Sequence, residues 1–239
     1  MDINYDSFRT VSNIMHMLQG LAFFVCAATD IALRGGESMK KFRFVSPAMF
    51  VFSGVAAILY AIFAIGAFDI DVFKAALDSR RGFLILFGIS FILISAGISQ
   101  AMHVFREREK SIWLILFFIF LFAIALLYAF YHKRVGAYSA YFALVNHWAA
   151  AGTLFIALVF KILSMKIHRE IFRGLWAVFL MMTAFQLIAY RESGDAFGEK
   201  AVVLEIMDGM EIQISRDLPE PPESPLKHAK TPDKKRSRH

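Results

Sequence analysis

The sequence predicts an all-α integral membrane protein: a bundle of six transmembrane helices with a small C-terminal β-hairpin and a disordered basic tail. Of its 239 residues, 58% are hydrophobic and only 19% are charged, whereas a soluble domain is close to half apolar and a quarter charged. Almost all charges among the first 190 residues fall between six long apolar runs. Helices are expected because backbone polar groups in lipid must be paired within their own segment.

The six apolar runs are each about as long as a bilayer is thick, since roughly 20 helical residues cross a hydrocarbon core of about 30 Å. They cover residues 11–33, 45–68, 82–104, 112–131, 137–163 and 171–190, and together they define a predicted domain over residues 1–190. The first run is too long for a signal-peptide core and follows only one basic residue, Arg9, so we expect a retained signal anchor. The single cysteine, Cys26, is interpreted as a small packing residue.

The orientation follows from the Lys and Arg residues near the ends of the spans. The first, third and fifth connections hold 11 of them and the opposite side holds seven. This difference favours odd-numbered connections in the cytoplasm and both termini outside. The expected location is a bacterial inner membrane or an equivalent membrane.

The chain after Tyr190 is predicted to lie outside the bilayer. Residues 191–218 contain a hairpin signal in which Met207, Asp208 and Gly209 form the loop and the apolar residues of both strands share one face. Residues 219–239 combine a proline-rich spacer with a basic tail. The tail is either a solvated end or a contact for anionic lipid, nucleic acid or an acidic partner.

Polar residues inside the spans are the candidates for function because they are costly in lipid. His16 and His147 lie on the first and fifth spans at similar depth, as a rise of about 1.5 Å per residue shows. All seven tyrosines fall in the same half of the bilayer, where they form either an interfacial belt or the lining of a polar cavity. The predicted ligand or cavity residues near the two histidines are Asn13, Gln19, Asn146 and Tyr141.

A b-type haem with His16 and His147 as axial ligands is the sharpest chemical hypothesis, because facing helices in membrane bundles can hold haem between two imidazoles. The alternatives are that each histidine bonds a neighbouring helix, which is the common role of an isolated intramembrane histidine, or that the pair holds another ligand or a metal. Other chemistry is not indicated: the sequence lacks an HExxH motif, a P-loop and a GxSxG elbow. Lys161 is the only lysine in a span and Asp30 the only acid, and both lie near helix ends.

Three functions follow from these patterns. The first is a non-catalytic subunit or accessory protein of a membrane assembly, with the lipid bilayer and other membrane subunits as its partners. The second is an electron carrier with haem b, and the third is a small-molecule transporter or channel.

Overall fold

A computed structural model describes residues 5–35, 37–79, 81–106, 111–131, 134–167 and 169–197. Within these ranges the regular structure is entirely helical, with short 3-10 segments in the connections. The seven α-helices are α1 (Tyr5–Ala32), α2 (Val45–Gly66), α3 (Ile70–Ser79), α4 (Leu84–Arg106), α5 (Ile112–Phe130), α6 (Ala137–Ile167) and α7 (Glu170–Ala189).

Six of these helices, all except α3, are long and apolar enough to cross a membrane. For the described residues, the prediction of a helical bundle with six apolar helices of membrane-spanning length is therefore confirmed. The predicted hairpin and the proline-rich basic tail lie outside the described residues.

The six long helices form a closed ring in chain order. α1 packs on α2, α2 on α4, α4 on α5, α5 on α6 and α6 on α7, and α7 then packs on α1. Short connections favour this order, because consecutive antiparallel helices are the easiest neighbours to bring together. The ring has two ends, and polar side chains collect inside each of them.

The middle of the ring is filled by large apolar side chains. Phe50 contacts Phe23 and Phe117 edge to face, with ring centroids 5.8 and 5.7 Å apart, and edge-to-face contact is the favoured geometry for aromatic pairs. Leu121 and Leu154 are fully buried in the same cluster. This packed layer separates the polar groups at one end of the ring from those at the other.

Helix α1 begins at Tyr5, six residues before the predicted run. Its first turns are held by Phe8, which is fully buried. The Phe8 ring lies 5.0 Å from that of Phe83 and 6.3 Å from that of Phe197. Tertiary packing therefore extends the helix beyond its uninterrupted apolar part.

Helix α2 ends at Gly66, two residues before the predicted end, because Ala67 and Phe68 take positive φ angles of 47° and 67°. The connection that follows contains helix α3. Asp69 caps it, with its carboxylate accepting from the backbone N–H groups of Asp71 at 2.9 Å and Val72 at 3.1 Å. Such a cap satisfies donors that the first helical turn leaves unpaired.

Helices α2 and α4 approach closely at two glycines. A Cβ atom on Gly97 would lie 2.7 Å from the carbonyl oxygen of Pro47 and 2.9 Å from the Cβ of Phe50. A Cβ atom on Gly54 would lie 2.6 Å from the carbonyl oxygen of Ser90. Small residues let membrane helices pack backbone to backbone in this way.

Candidate functional site

The structure brings His16 of α1 and His147 of α6 together at the ring end where α1 starts. Their ring centroids are 5.5 Å apart with an interplanar angle of 29°, and both side chains are buried. The Tyr190 ring lies 4.7 Å from His16 and 5.5 Å from His147. Tyr128 of α5 lies 6.3 and 5.6 Å from the same two rings. We call these four residues and Gln19 the histidine cluster.

Backbone carbonyls fix the tautomer of both imidazoles. His16 Nδ1 lies 2.7 Å from the carbonyl oxygen of Ser12, and His147 Nδ1 lies 2.6 Å from that of Tyr131. A carbonyl oxygen can only accept a hydrogen bond, so each Nδ1 carries the proton. In the neutral imidazole, Nε2 then carries a lone pair. Both Nε2 atoms are buried and have no hydrogen-bond partner among the residues that the structure describes.

Gln19 is oriented by the Tyr128 hydroxyl, which donates to its Oε1. Its amide Nε2 is buried and also has no partner. The histidine cluster therefore offers two imidazole acceptors and one amide donor, all shielded from the surroundings of the protein.

A buried ion pair covers this end of the ring. Arg134, between α5 and α6, donates from Nε to Glu192 Oε2 at 2.9 Å and from Nη2 to Glu192 Oε1 at 2.5 Å. Ser12 Oγ and the Tyr190 hydroxyl donate to the same carboxylate at 2.8 and 2.9 Å. The Glu192 N–H donates to Asn13 Oδ1 at 2.7 Å. We call these five residues the clasp.

The clasp changes the protonation of Glu192. Burial opposes the charged form, but the hydrogen bonds and the positive charge of Arg134 outweigh it, so the pKa of the carboxyl is lowered from 4.5 to about 2. The Glu192 and Arg134 side chains are each only 1% exposed. A buried charge requires a partner of opposite charge and further hydrogen bonds, and the clasp supplies both.

Ser12, His16 and Glu192 are close together but do not form a catalytic triad. The Ser12 hydroxyl donates to Glu192, and His16 Nδ1 donates to the carbonyl oxygen of Ser12. A triad would need the serine proton to be directed to an imidazole nitrogen that the carboxylate orients from the other side. The hydrogen bonds here run in a different order, so they hold the bundle together rather than activate a nucleophile.

The histidine cluster does not fit a haem between its imidazoles. Axial ligands point a ring edge at the iron from opposite faces of the porphyrin. His16 and His147 are instead stacked, and the rings of Tyr128 and Tyr190 pack against both of them. The four rings leave no slot for a macrocycle between the two histidines.

The other predicted cavity residues divide between the site and the surface. Gln19 is buried in the histidine cluster and Asn13 belongs to the clasp. Asn146 bonds back to the carbonyl oxygen of Phe142 on its own helix at 2.8 Å, and the side chain of Tyr141 is 65% exposed. The structure therefore does not bring Asn146 and Tyr141 to the histidines.

The opposite end of the ring holds a second polar region, which was not predicted as a site from the sequence. It is a cavity of ≈ 270 Å³ to which all six long helices or their immediate flanks contribute. We call it the vestibule. Its lining comprises Cys26, Thr29, Asp30, Leu33, Arg43, Ser46, Gln100, His103, Val104, Leu114, Phe117, Phe118, Lys161, Met165 and Trp176.

An ion pair between α1 and α6 stands at the vestibule. Lys161 Nζ lies 2.7 Å from Asp30 Oδ1, and Arg34 Nη2 lies 3.5 Å from Asp30 Oδ2. The sequence did contain a signal for the first of these pairs. Asp30 and Lys161 are the only acid and the only lysine in the spans, and the two helices that carry them end on the same side.

Two further polar groups in the vestibule lack partners. The indole Nε1 of Trp176, a residue only 1% exposed, and Nδ1 of His103 are buried without a hydrogen bond. Ser46 donates to Gln100 Oε1 at 2.9 Å. Buried polar groups are nearly always paired, so unpaired ones along a cavity wall indicate where a bound molecule would be held.

Within the part of the chain that the structure describes, no group of three or more His, Cys, Asp or Glu residues is arranged to hold a metal ion. The chain was compared with family models, with curated proteins and with solved structures, and none of them matched.

Proposed function

We propose that this polytopic membrane protein binds a small molecule inside its helical bundle, at the vestibule, without transforming it chemically. The observation that carries the proposal is the vestibule itself, a cavity at one end of the ring that is lined by apolar and polar side chains. Ligand sites in proteins have this character: mostly apolar walls with a few well-placed polar groups, often between the helices of a bundle.

The packed middle of the ring favours binding at one end over free passage. Phe23, Phe50 and Leu121 are buried in one apolar cluster, and their positions along α1, α2 and α5 lie between the vestibule and the histidine cluster. An open channel would need these side chains to separate. A carrier would need the same layer to rearrange in each transport cycle.

Binding is also favoured over catalysis by the state of the polar groups. Glu192 is fully engaged by its neighbours in the clasp, and Asp30 is shared by Lys161 and Arg34. General acid–base catalysis requires a group that can exchange a proton with a substrate. Both carboxylates act instead as counter-ions for basic residues on other segments or on the adjoining turn.

Chemical modification of Cys26 tests the proposed cavity, because this single cysteine lines the vestibule. We expect methyl methanethiosulfonate to modify Cys26 in the membrane-embedded protein, while a biotin-linked maleimide does not, since the cavity admits only a small reagent. Mass spectrometry of the intact protein measures both reactions.

The matched control places the thiol in the packed interior. A Cys26→Ser, Ser53→Cys double variant moves it to a fully buried position of α2 that does not line the vestibule. We expect this thiol to react at least ten times more slowly than Cys26, because local opening must precede reaction. Equal rates at the two positions would show that the vestibule is closed, and the proposed function would be abandoned.

A subunit role in a larger membrane assembly is a separate proposal, compatible with ligand binding. It rests on the absence of a catalytic arrangement at either end within the described residues. We expect the protein, extracted in a mild detergent, to migrate with partners as a particle heavier than one 27.1 kDa chain after the detergent mass is subtracted. A strictly monomeric particle would count against this role.

The membrane and the orientation are proposals too. We retain a bacterial inner membrane or an equivalent one, with the termini outside, on the strength of the Lys and Arg distribution. In that orientation the vestibule, at the end of α1, faces the cytoplasm. The basic tail would then lie on the outer side, where a contact with an acidic partner suits it better than one with anionic lipid of the inner leaflet.

A further inference from the structure

Among the described residues at the vestibule, two basic side chains share one carboxylate. Lys161 and Arg34 both pair with Asp30. The side chains of Asp30, Lys161 and Arg34 are only 20%, 18% and 27% exposed. Excess positive charge in a partly buried, low-dielectric place is costly, and a bound negative charge would relieve that cost.

Trp176, which lines the same cavity, carries a hydrogen-bond donor. The indole Nε1–H of Trp176 is buried and unpartnered, and an indole nitrogen can only donate. Lys161 Nζ lies 5.2 Å from the centre of the Trp176 ring. The ammonium group and the indole ring are therefore neighbours, and a cation together with an N–H donor suits the oxygen atoms of an anion.

The rest of the lining is apolar and the space is small. Leu114, Phe117, Phe118 and Met165 form much of the wall. A cavity of ≈ 270 Å³ is at the lower limit of common ligand pockets, which span about 300–1,000 Å³. An inorganic anion would leave the apolar wall without a partner, whereas a neutral apolar molecule would leave the indole N–H unpaired.

We propose that the vestibule binds a compact organic monoanion, a carboxylate with a small apolar body, whose oxygens accept from the Trp176 indole and face Lys161. This inference rests on the proposed function and specifies its ligand class. The apolar body lies against the aromatic and aliphatic wall. The carboxylate supplies a negative charge for Lys161 and an acceptor for the Trp176 N–H, which has no partner among the described residues.

Benzoate and benzamide test the inference, because they share a shape and differ in charge. We expect benzoate to raise the thermal unfolding temperature of the detergent-purified protein in a saturable manner, and benzamide and sulfate at equal concentration to leave it unchanged. Benzoate should also slow the modification of Cys26 by methyl methanethiosulfonate. Equal effects of benzoate and benzamide would overturn the anion class and leave small-molecule binding standing.

Trp176→Phe tests the proposed donor. It removes the indole N–H and keeps an aromatic ring, and we expect roughly a tenfold or greater loss of benzoate affinity, the usual effect of losing one hydrogen bond to a charged group. The control is Trp113→Phe, which removes another buried and unpartnered indole N–H at a position that does not line the vestibule, and it should leave the affinity unchanged.

The outcomes are separable. An unchanged affinity in Trp176→Phe would overturn the assigned donor. Should that variant fail to fold, the comparison of benzoate with benzamide on the unmodified chain still decides the ligand class. Stabilisation by sulfate equal to that by benzoate would reduce the site to an unspecific anion contact and overturn the organic monoanion. If no probe binds although Cys26 reacts readily, the inference fails while the cavity stands.

Discussion

Replacing Glu192 with glutamine should lower the free energy of unfolding by about 3–5 kcal/mol, the usual cost of removing one partner of a buried ion pair. Arg134, whose side chain is only 1% exposed, would lose the Glu192 carboxylate, and a neutral amide in its place cannot balance the guanidinium charge. The loss should appear in an SDS titration of the protein in mixed micelles, followed by circular dichroism. The helices themselves should stay formed, since the substitution lies outside the spans.

The control for this variant is Glu170→Gln. Glu170 also pairs with an arginine, Arg173, at 3.0 Å, but the two side chains are 70% and 44% exposed. Exposed pairs contribute about 0–1 kcal/mol, so this variant should unfold almost as the unmodified chain does. Similar losses in both variants would show that the clasp is open to solvent and does not carry the stability assigned to it.

The same carboxylate predicts a dependence on pH. Its pKa is about 2 in the folded protein and 4.5 ordinarily, so the folded state favours the charged form. Its contribution, on the order of 3 kcal/mol, is complete above pH 4.5 and is lost as the pH falls from there through 2. The Glu192→Gln variant should lack this part of the acid destabilisation.

Gly97→Ala is expected to destabilise the bundle by about 1–3 kcal/mol, the range for overpacking a filled interface. The added Cβ would lie 2.7 Å from the carbonyl oxygen of Pro47, a backbone atom that can move only if α2 moves with it. α2 and α4 would have to separate along their contact, and unfolding in SDS should occur at a lower detergent fraction.

Gly88→Ala on the same helix is the matched control, because nothing lies within 4 Å of a Cβ at that position. Alanine favours a helix over glycine by up to about 1 kcal/mol, so this variant should be unchanged or slightly more stable. If Gly97→Ala behaved as Gly88→Ala does, the close packing of α2 on α4 would be refuted.

The spans and the meeting of the two histidines follow from simple geometry. Six apolar runs of bilayer length leave little choice but helices. Counting a rise of 1.5 Å per residue places His16 and His147 at similar depths, and the structure stacks their rings. The sequence did not indicate that these rings would stack face to face instead of enclosing a cofactor, because that depends on how Tyr128 and Tyr190 fill the space.

Helical geometry could have separated Tyr141 from the site. A helix turns about 100° per residue, so Tyr141 lies roughly 120° around α6 from His147 and Asn146 lies roughly 100° from it. Both point away from the face that the histidine occupies. Tyr141 and Asn146 were predicted from their depth in the membrane alone. Their direction around α6 excludes them from the histidine cluster.

The clasp could not be predicted from the sequence. Arg134 and Glu192 lie in connections outside the apolar runs, where charged residues are ordinarily solvated, and 58 residues separate them. Their burial depends on residues 190–197 folding back over the start of α1. Only the tertiary structure brings the Arg134 guanidinium and the Glu192 carboxylate together and buries the ion pair that they form.

The clasp also affects how the protein is inserted and folded during translation. Ser12 and Glu192 are 180 positions apart, so the first span enters the bilayer long before its partner residue has been made. Arg134 is likewise synthesised before Glu192, so this ion pair cannot form until the later residue has been added. This face of the bundle can therefore close only after residue 192 has been synthesised, and chains truncated directly after α7 should be degraded by membrane quality-control proteases.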